Sequence, residues 1–423
     1  MSIVGIIAEY NPFHNGHYYQ LNKAKSETKA DFAIVIMSGD FVQRGEPAVF
    51  PKHLRTKMAL SSGADLVIEL PVRYATASAE KFALGAVSIL NSLGIVDYLH
   101  FGSESGEIET LYKTAEILTN ETPEFKEALQ SLIKKGYSFP KARQQALSKC
   151  CGFESDFSTL KEANNILATE YLKAIIRTES KIKPHTVKRV GCGYNDATTR
   201  GNYLSALGIR ALIKEYYESK TNDKTDTTAK VKSDLRFGIE SLLSNKLPKS
   251  ALTLAIDAYR ARGPVFTDDF SLLLRYRLNN ETPLSLLEYE DLYDSLANKI
   301  IANKNDFVTF TDLCNRIKTR DITYTHISRA LLHIILELKK KADIPLYARV
   351  LGFKSDSHMI FNMIKNASKI PLVTNLSGLG AFPKNVQEQV LEDIRISDLY
   401  ESVIADKFKL APQRERSREL IKL

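Results

Sequence analysis

The sequence predicts an α/β fold, a parallel sheet covered by helices, followed by a mainly α-helical half. Three observations carry that reading. Short apolar runs alternate with helix-length segments through the first half of the chain. Polar turns, most with a glycine, close several of those runs. Beyond a polar, threonine-rich stretch the apolar spacing becomes helical, with few strand signals.

The chain has 423 residues, more than one ordinary core accommodates, so two or three domains are expected. At 44% hydrophobic and 26% charged residues it reads as globular. No apolar run reaches the ~18 residues that a bilayer span needs. The N-terminus lacks a basic n-region, so no signal peptide is expected and the cytoplasm is the default location. Four cysteines (Cys150, Cys151, Cys192 and Cys314) include no C-x-x-C pair, which predicts neither a disulfide framework nor a zinc site. The net charge of +8 and pI near 9.0 are compatible with a polyanionic partner.

The first strand is Ile3-Val4-Gly5-Ile6-Ile7-Ala8, followed by a bend at Glu9-Tyr10-Asn11-Pro12-Phe13 and a helix from His17. Further strands are Phe32 to Met37, Leu66 to Leu70 (stopped by Pro71) and Tyr98 to Phe101. Near-continuous apolar strands separated by helices indicate a parallel sheet, whose ligands sit beyond the carboxyl ends of its strands. Three polar turns fall at that edge: Asn11 to His17, Ser38 to Gly45 and Gly102 to Glu104. In the second, Gln43 and Arg44 are candidate phosphate or carboxylate contacts, while Asp40 and Arg44 equally suit a local ion pair. Lys52-His53-Leu54-Arg55 opens a helix and adds positive charge near the same edge.

Helices are expected over residues 107–118, 123–135 and 139–149, and from Asn164-Asn165 through Ala174. A strand follows Pro184 through Val190. Residues 218–234 read as a polar linker. After it come helices over 270–278, 284–298, 310–318 and 325–340, with scattered basic residues that suggest a nucleic-acid platform. His333 reads as a packed or surface-facing residue of the last.

His14-Asn15-Gly16-His17 is the chemical centre of the pattern. A helix start behind a strand presents unpaired N–H groups and a positive dipole end. Gly16 lets backbone approach a ligand, and two imidazoles can donate to phosphoryl oxygens. Two histidines so spaced also suit a metal pair or ordinary turn positions.

Glu9 through His17, with Ser38-Gly39-Asp40-Phe41-Val42-Gln43-Arg44-Gly45-Glu46 and Phe101-Gly102-Ser103-Glu104, resembles the tRNA(Met) cytidine acetate ligase family of the H-x-G-H nucleotidyltransferase superfamily. Tyr324 through His333 and Asp393 through Tyr400 are similar to further family stretches, so the resemblance covers nearly all of the chain up to Ala411. It implies a Rossmann-like parallel-sheet nucleotidyltransferase domain at residues 1–217, a linker at 218–234, and a basic helical tRNA-binding domain at 235–423.

The implied activity is ATP-dependent. Acetate becomes acetyl-adenylate, and the acetyl group passes to N4 of the wobble cytidine of elongator tRNA(Met). The implied catalytic residues are His14 and His17. The implied ATP site runs through Ile7, Ala8, Glu9, Tyr10, Asn11, Pro12, Phe13, His14, Asn15, Gly16, His17 and Gln20, joined by Gly102, Asn164 (or its neighbour Asn165) and Arg189. Gln43, Arg44, Ser205 and Arg210 are candidate phosphate or acetate contacts. ATP enters as co-substrate with magnesium, for which no protein ligand is identifiable, and acetyl-CoA is not expected, since no matching Gly-rich loop is present. The sequence departs from the family at Leu207, where a threonine is usual, and at Asn195, where histidine is more frequent. Two alternatives stay open: an adenylyltransferase of a small phosphorylated metabolite, and an RNA-binding protein with a vestigial nucleotide site.

Overall fold

The structure, a computed structural model, describes residues 1–137, 139–151, 162–189, 204–221, 238–341 and 344–423. Ten strands are described: β1 (Ile3–Ala8), β2 (Phe32–Ser38), β3 (Phe41–Val42), β4 (Glu46–Pro47), β5 (Leu66–Leu70), β6 (Tyr98–Ser103), β7 (Lys183–Lys188), β8 (Ala348–Phe353), β9 (Leu372–Val373) and β10 (Ile421–Lys422). Strands β5-β2-β1-β6-β7 are parallel neighbours in that order. Counted along the chain this is the 3-2-1-4-5 order of a doubly wound sheet, whose direction reverses between β1 and β6.

Side chains of successive strand residues leave opposite faces, and the two faces feed two cores. Ile3 and Ile7 of β1, Ile34 and Ile36 of β2, and Leu66, Ile68 and Leu70 of β5 enter one core. The helices Ala79–Leu93, Ile108–Asn120 and Ala163–Arg177 cover it. Val4 and Ile6, Ala33, Val35 and Met37, and Val67 enter the other. There α1 (Asn15–Thr28) and α2 (Lys52–Ser61) are joined by the helices Ala206–Thr221 and Lys249–Ala261. A third core is helical. It runs from Val265 through Leu338 and takes in Ile396 to Ile404 of the long Lys384–Phe408 helix.

The second half departs from the purely helical expectation. β8 pairs antiparallel with β5, and β9 and β10 run parallel to β8, so the C-terminal residues complete the N-terminal sheet. Strands this short, or set among helices, leave little period-2 signal. The expected linker also begins too early. The Ala206–Thr221 helix runs through 218–221, and residues 222–234 lie outside the described ones. The 284–298 prediction resolves into two short helices, Pro283–Leu286 and Asp294–Ala302.

The β5–β8 junction is locked by charge. Glu69 on β5 is the register partner of Arg349 on β8, with Nη1 2.9 Å from Oε2. Lys52, fully buried at the start of α2, places Nζ 2.6 Å from Glu69 Oε1, 2.6 Å from Ser397 Oγ and 3.1 Å from Glu415 Oε1. Its backbone N–H donates to Asp40 Oδ1 at 2.8 Å, so Asp40 serves Lys52. Burial alone would push this ammonium down, but Glu415 and Glu69 outweigh it and hold its pKa above the usual lysine value. His333 is likewise structural: it is buried, with Nε2 3.1 Å from Thr76 Oγ1 and Nδ1 3.2 Å from the Glu290 carbonyl.

Removing one member of a buried ion cluster strands the others, at about 3–5 kcal/mol. Lys52→Met is therefore expected to lower unfolding free energy by about that amount, measured by urea denaturation; a change within ~0.5 kcal/mol would refute the cluster's structural role.

Candidate functional site

At the reversal between β1 and β6 a cleft opens beyond the strand ends. Ile7 and Ala8 at the end of β1, Glu9, Tyr10 and Asn11 of the bend, and His14, His17 and Gln20 of α1 line one side. Phe101 and Gly102 of β6, Asn164, Leu167 and Tyr171 of the 163–177 helix, and Arg189 line the other. Gln43 and Arg44 from the β3–β4 turn and Ser205, Leu207 and Arg210 complete the wall. The tertiary structure thus gathers segments from widely separated regions of the sequence.

The bend is held from behind by Arg55. Its side chain is fully buried and donates to four backbone carbonyls: Nε to Phe50 at 2.9 Å, Nη1 to Glu9 at 2.6 Å and to Ser38 at 3.0 Å, and Nη2 to Gly39. Arg55 and Lys52 are therefore structural charges, not the ligand-facing ones expected from their position. Burial removed them from the edge they were expected to decorate.

His14 is the N-cap of α1 in extended backbone. Its Nδ1 accepts the Gly16 N–H at 3.0 Å, and the His14 N–H donates to Nδ1 of His17 at 3.3 Å. The rings stack with centroids 3.7 Å apart and 23° between planes. With each Nδ1 accepting, the neutral tautomer of both carries its proton on Nε2. Burial, reinforced by Arg189 and Arg210, pulls the His14 pKa from 6.5 to about 3. Burial and then His14 and Arg189 lower that of His17 well below its usual value. Two neutral N–H donors, flanked by guanidinium groups, suit a polyphosphate oxygen.

The helix-start amides, in contrast, are not free as expected. The Asn15 N–H donates to the Lys246 carbonyl and its side chain to the Asn245 carbonyl, both at 2.9 Å. Asn15 thus anchors the 245–246 segment and does not line the cleft. Gly16 also serves a neighbour, since a Cβ there would sit 2.9 Å from Cε1 of His14. Pro12 and Phe13 lie behind the site; Phe13 is fully buried and packs edge-on against Tyr10 with centroids 4.7 Å apart.

Across the cleft, Asn164 lines the wall and Asn165 does not. Asn164 Nδ2 donates to Glu104 Oε1 at 2.6 Å, and Arg189 Nη1 donates to Asn164 Oδ1 at 3.3 Å. Asn165 Oδ1 instead accepts the Glu104 and Ser105 N–H groups, fixing the turn after β6. A Cβ on Gly102 would stand 3.1 Å from Arg189 Cγ, so glycine lets that arginine cross the strand end. Ser205 Oγ accepts the Gly208 N–H at 3.2 Å, a helix cap. Leu207 lines the cleft without a hydroxyl, and Arg210 donates to the Asn11 carbonyl at 2.9 Å. Asn195 lies outside the described residues.

A model of the HIGH nucleotidyl transferase family matches residues 1–416. The tRNA(Met) cytidine acetate ligase of Acetivibrio thermocellus is 40% identical over 410 residues, covering 95% of this chain and 94% of that protein. The protein of the same name from Caldanaerobacter subterraneus subsp. tengcongensis is 40% identical over 382 residues, 89% of each chain. The chain belongs to the tRNA(Met) cytidine acetate ligase family. A crystal structure of Thermotoga maritima TmcAL, in its apo form, superposes with a TM-score of 0.89 at 31% identity over all of both chains. The same enzyme bound with alpha-thio ATP gives 0.87, again at 31% identity and full coverage.

Within this family the cleft residues that sequence reasoning missed are Phe82, Leu167 and Tyr171, together with Glu104, which stands behind Asn164. Leu167 and Tyr171 sit on the helix expected from Asn164-Asn165, where no local signal separates wall from core, and no helix was expected around Phe82. Glu9 is a further cleft group. Burial raises its pKa against the pull of Arg210, the Gln43 N–H and Arg44, and its Oε1 accepts the Gln43 N–H at 2.9 Å.

The histidine pair makes a pH prediction. The unfolded chain protonates His14 near pH 6.5 and the folded chain near pH 3, so this residue costs stability progressively as pH falls through that window. In 15N NMR of the ligand-free protein, His14 is expected to remain in the neutral Nε2–H form at pH 5. A titration centred near 6.5 would refute the neutral-donor reading.

Proposed function

We propose that this protein is an ATP-dependent ligase that activates acetate as acetyl-adenylate and acetylates N4 of the wobble cytidine of elongator tRNA(Met), releasing AMP and diphosphate. The observation that carries the reading is the stacked, neutral His14–His17 pair facing Arg189 and Arg210 at the strand-order reversal. The alpha-thio ATP complex of Thermotoga maritima TmcAL supports it.

ATP lies with its nucleoside toward Gly102 and Asn164 and its phosphates toward the histidines. An acetate oxygen attacks the α-phosphate and diphosphate leaves. The two Nε2–H donors and the arginines meet the charge that builds on the phosphoryl oxygens, with no covalent enzyme intermediate. His14, with its pKa near 3, acts there as a donor and not as a proton source at neutral pH. Magnesium, when bound, would offset charge on the ATP phosphates, and Glu9, the one carboxylate lining the cleft among the described residues, would be the protein group able to face it. Gln43 and Arg44 are the candidate acetate contacts.

The domain from residue 235 onward binds the tRNA, with residues 238–261 also packed on the sheet. Many of their basic residues are paired, including Arg329 with Asp291 at 2.7 Å and Lys407 with Asp269 at 2.7 Å. Arg414, Arg416 and Lys422 line one broad groove with Lys57 and are the stronger RNA candidates, while Arg418 in the same groove pairs with Glu401 at 3.4 Å. The reaction takes place in the cytoplasm, and no helix among the described residues is long and apolar enough to cross a membrane.

The decisive assay combines purified protein, labelled acetate, ATP and bulk tRNA, with acetylcytidine read from digested tRNA. Labelling that depends on ATP and acetate is expected. Labelling that requires acetyl-CoA would overturn the proposal, and diphosphate release without tRNA acetylation would point to a small-metabolite adenylyltransferase. His14→Ala is expected to slow adenylate formation by roughly 10²–10³, the usual effect of losing one preorganised donor, while tRNA retention on filters stays within twofold or so of the parent.

A further inference from the structure

At the end of α1 remote from the cleft, three side chains of metal-ligating type converge. His100 on β6 and His185 on β7 are register partners in parallel strands, so both leave the same sheet face. Their rings stack at 5.3 Å with 16° between planes. Glu27, in the last turn of α1, brings Oε2 to 3.9 Å from His185 Nδ1. One ligand atom from each of the three residues lies within 4.8 Å of the others.

His100 is fully buried, yet neither of its ring nitrogens has a hydrogen-bond partner among the described residues, and His185 Nδ1 has none either. A buried imidazole with both nitrogens unmet is rare in folded proteins and calls for a ligand. No step of the nucleotide chemistry uses this cluster. Glu27 stands roughly 15 Å from His17 along α1, ten residues at the helical rise.

We propose that Glu27, His100 and His185 form a structural site for a divalent ion of the zinc class. Two imidazoles and one carboxylate are a zinc donor set, whereas magnesium and calcium take oxygen ligands. Tetrahedral ligands about 2.1 Å from the metal stand roughly 3.4 Å apart, so the cluster closes slightly on binding. Glu27 is exposed and His185 half-buried, so both have room to move, and the Lys23 partner that Glu27 leaves at 3.1 Å is a surface pair of small energetic weight. Water fills the fourth position from the Glu27 side. The ion clamps the last turn of α1 onto β6 and the edge strand β7.

The test is equilibrium dialysis of the full-length protein against Zn²⁺ without nucleotide, with Co²⁺ substitution as the spectroscopic probe. The expected result is one ion per chain and a tetrahedral Co²⁺ spectrum without a thiolate charge-transfer band. A rise in Tm that EDTA reverses should accompany it. Glu27→Gln and His185→Gln should each bind roughly tenfold or more weakly, while their metal-free Tm stays at the parent's value. Failure of the parent to bind, or equal binding by His185→Gln, overturns the proposal. A thiolate band would place the ion on cysteines, and loss of binding in His14→Ala alone would place it in the cleft; either result also overturns it. None of these readouts depends on ligase activity.

Discussion

The site depends on one buried guanidinium. Arg55 ties the carbonyls of Glu9, Ser38, Gly39 and Phe50 into a single knot at the adjoining ends of β1 and β2. A buried carbonyl left without a partner costs about 1–3 kcal/mol. A guanidinium suits the task because its planar donors are fixed relative to one another and it stays charged when buried. Once Glu9 is fixed, the bend through Phe13 and the entry to α1 follow, and with them the direction in which both histidines face.

The histidines then serve two purposes with opposite ends of their rings. Each Nδ1 closes the helix N-terminus as half of a reciprocal cap, which fixes the tautomer and leaves the Nε2 proton for the cleft. The capping that stabilises α1 is thus also what prepares the donors, and it takes up helix amides that an anion would otherwise reach. Phosphate recognition passes from backbone to side chains. Burial, with Arg189 beside it, keeps the pair neutral.

A second charge cluster does for the architecture what Arg55 does for the bend. Lys52, Glu69, Arg349 and Glu415 come from the start of α2, from β5, from β8 and from the C-terminal turn, and they meet where the parallel sheet is extended by strands of the second half. Asp393, buried beside them, receives the Val72 N–H at 2.9 Å and the Tyr347 hydroxyl, and burial together with Glu69 lifts its pKa to about 7. The helical half is therefore bonded into the sheet, which keeps the groove of C-terminal arginines in a fixed relation to the cleft.

The sequence by itself determined the β1–bend–α1 unit and the parallel strands that follow, because these rest on local patterns: apolar runs, caps, and the H-x-G-H spacing; most cleft residues it named only through the resemblance to the family. It could not reveal that β8, β9 and β10 join the sheet, since short strands amid helices carry almost no periodic signal. It could not show that Lys52 and Arg55 are interior charges, because a basic residue in a polar stretch looks the same whether it meets water or a buried carboxylate. Nor could it choose between Asn164 and Asn165, which differ only in helical phase: one turns to Arg189 and the cleft, the other to the amides after β6. Those decisions belong to long-range contacts, and only the folded chain makes them.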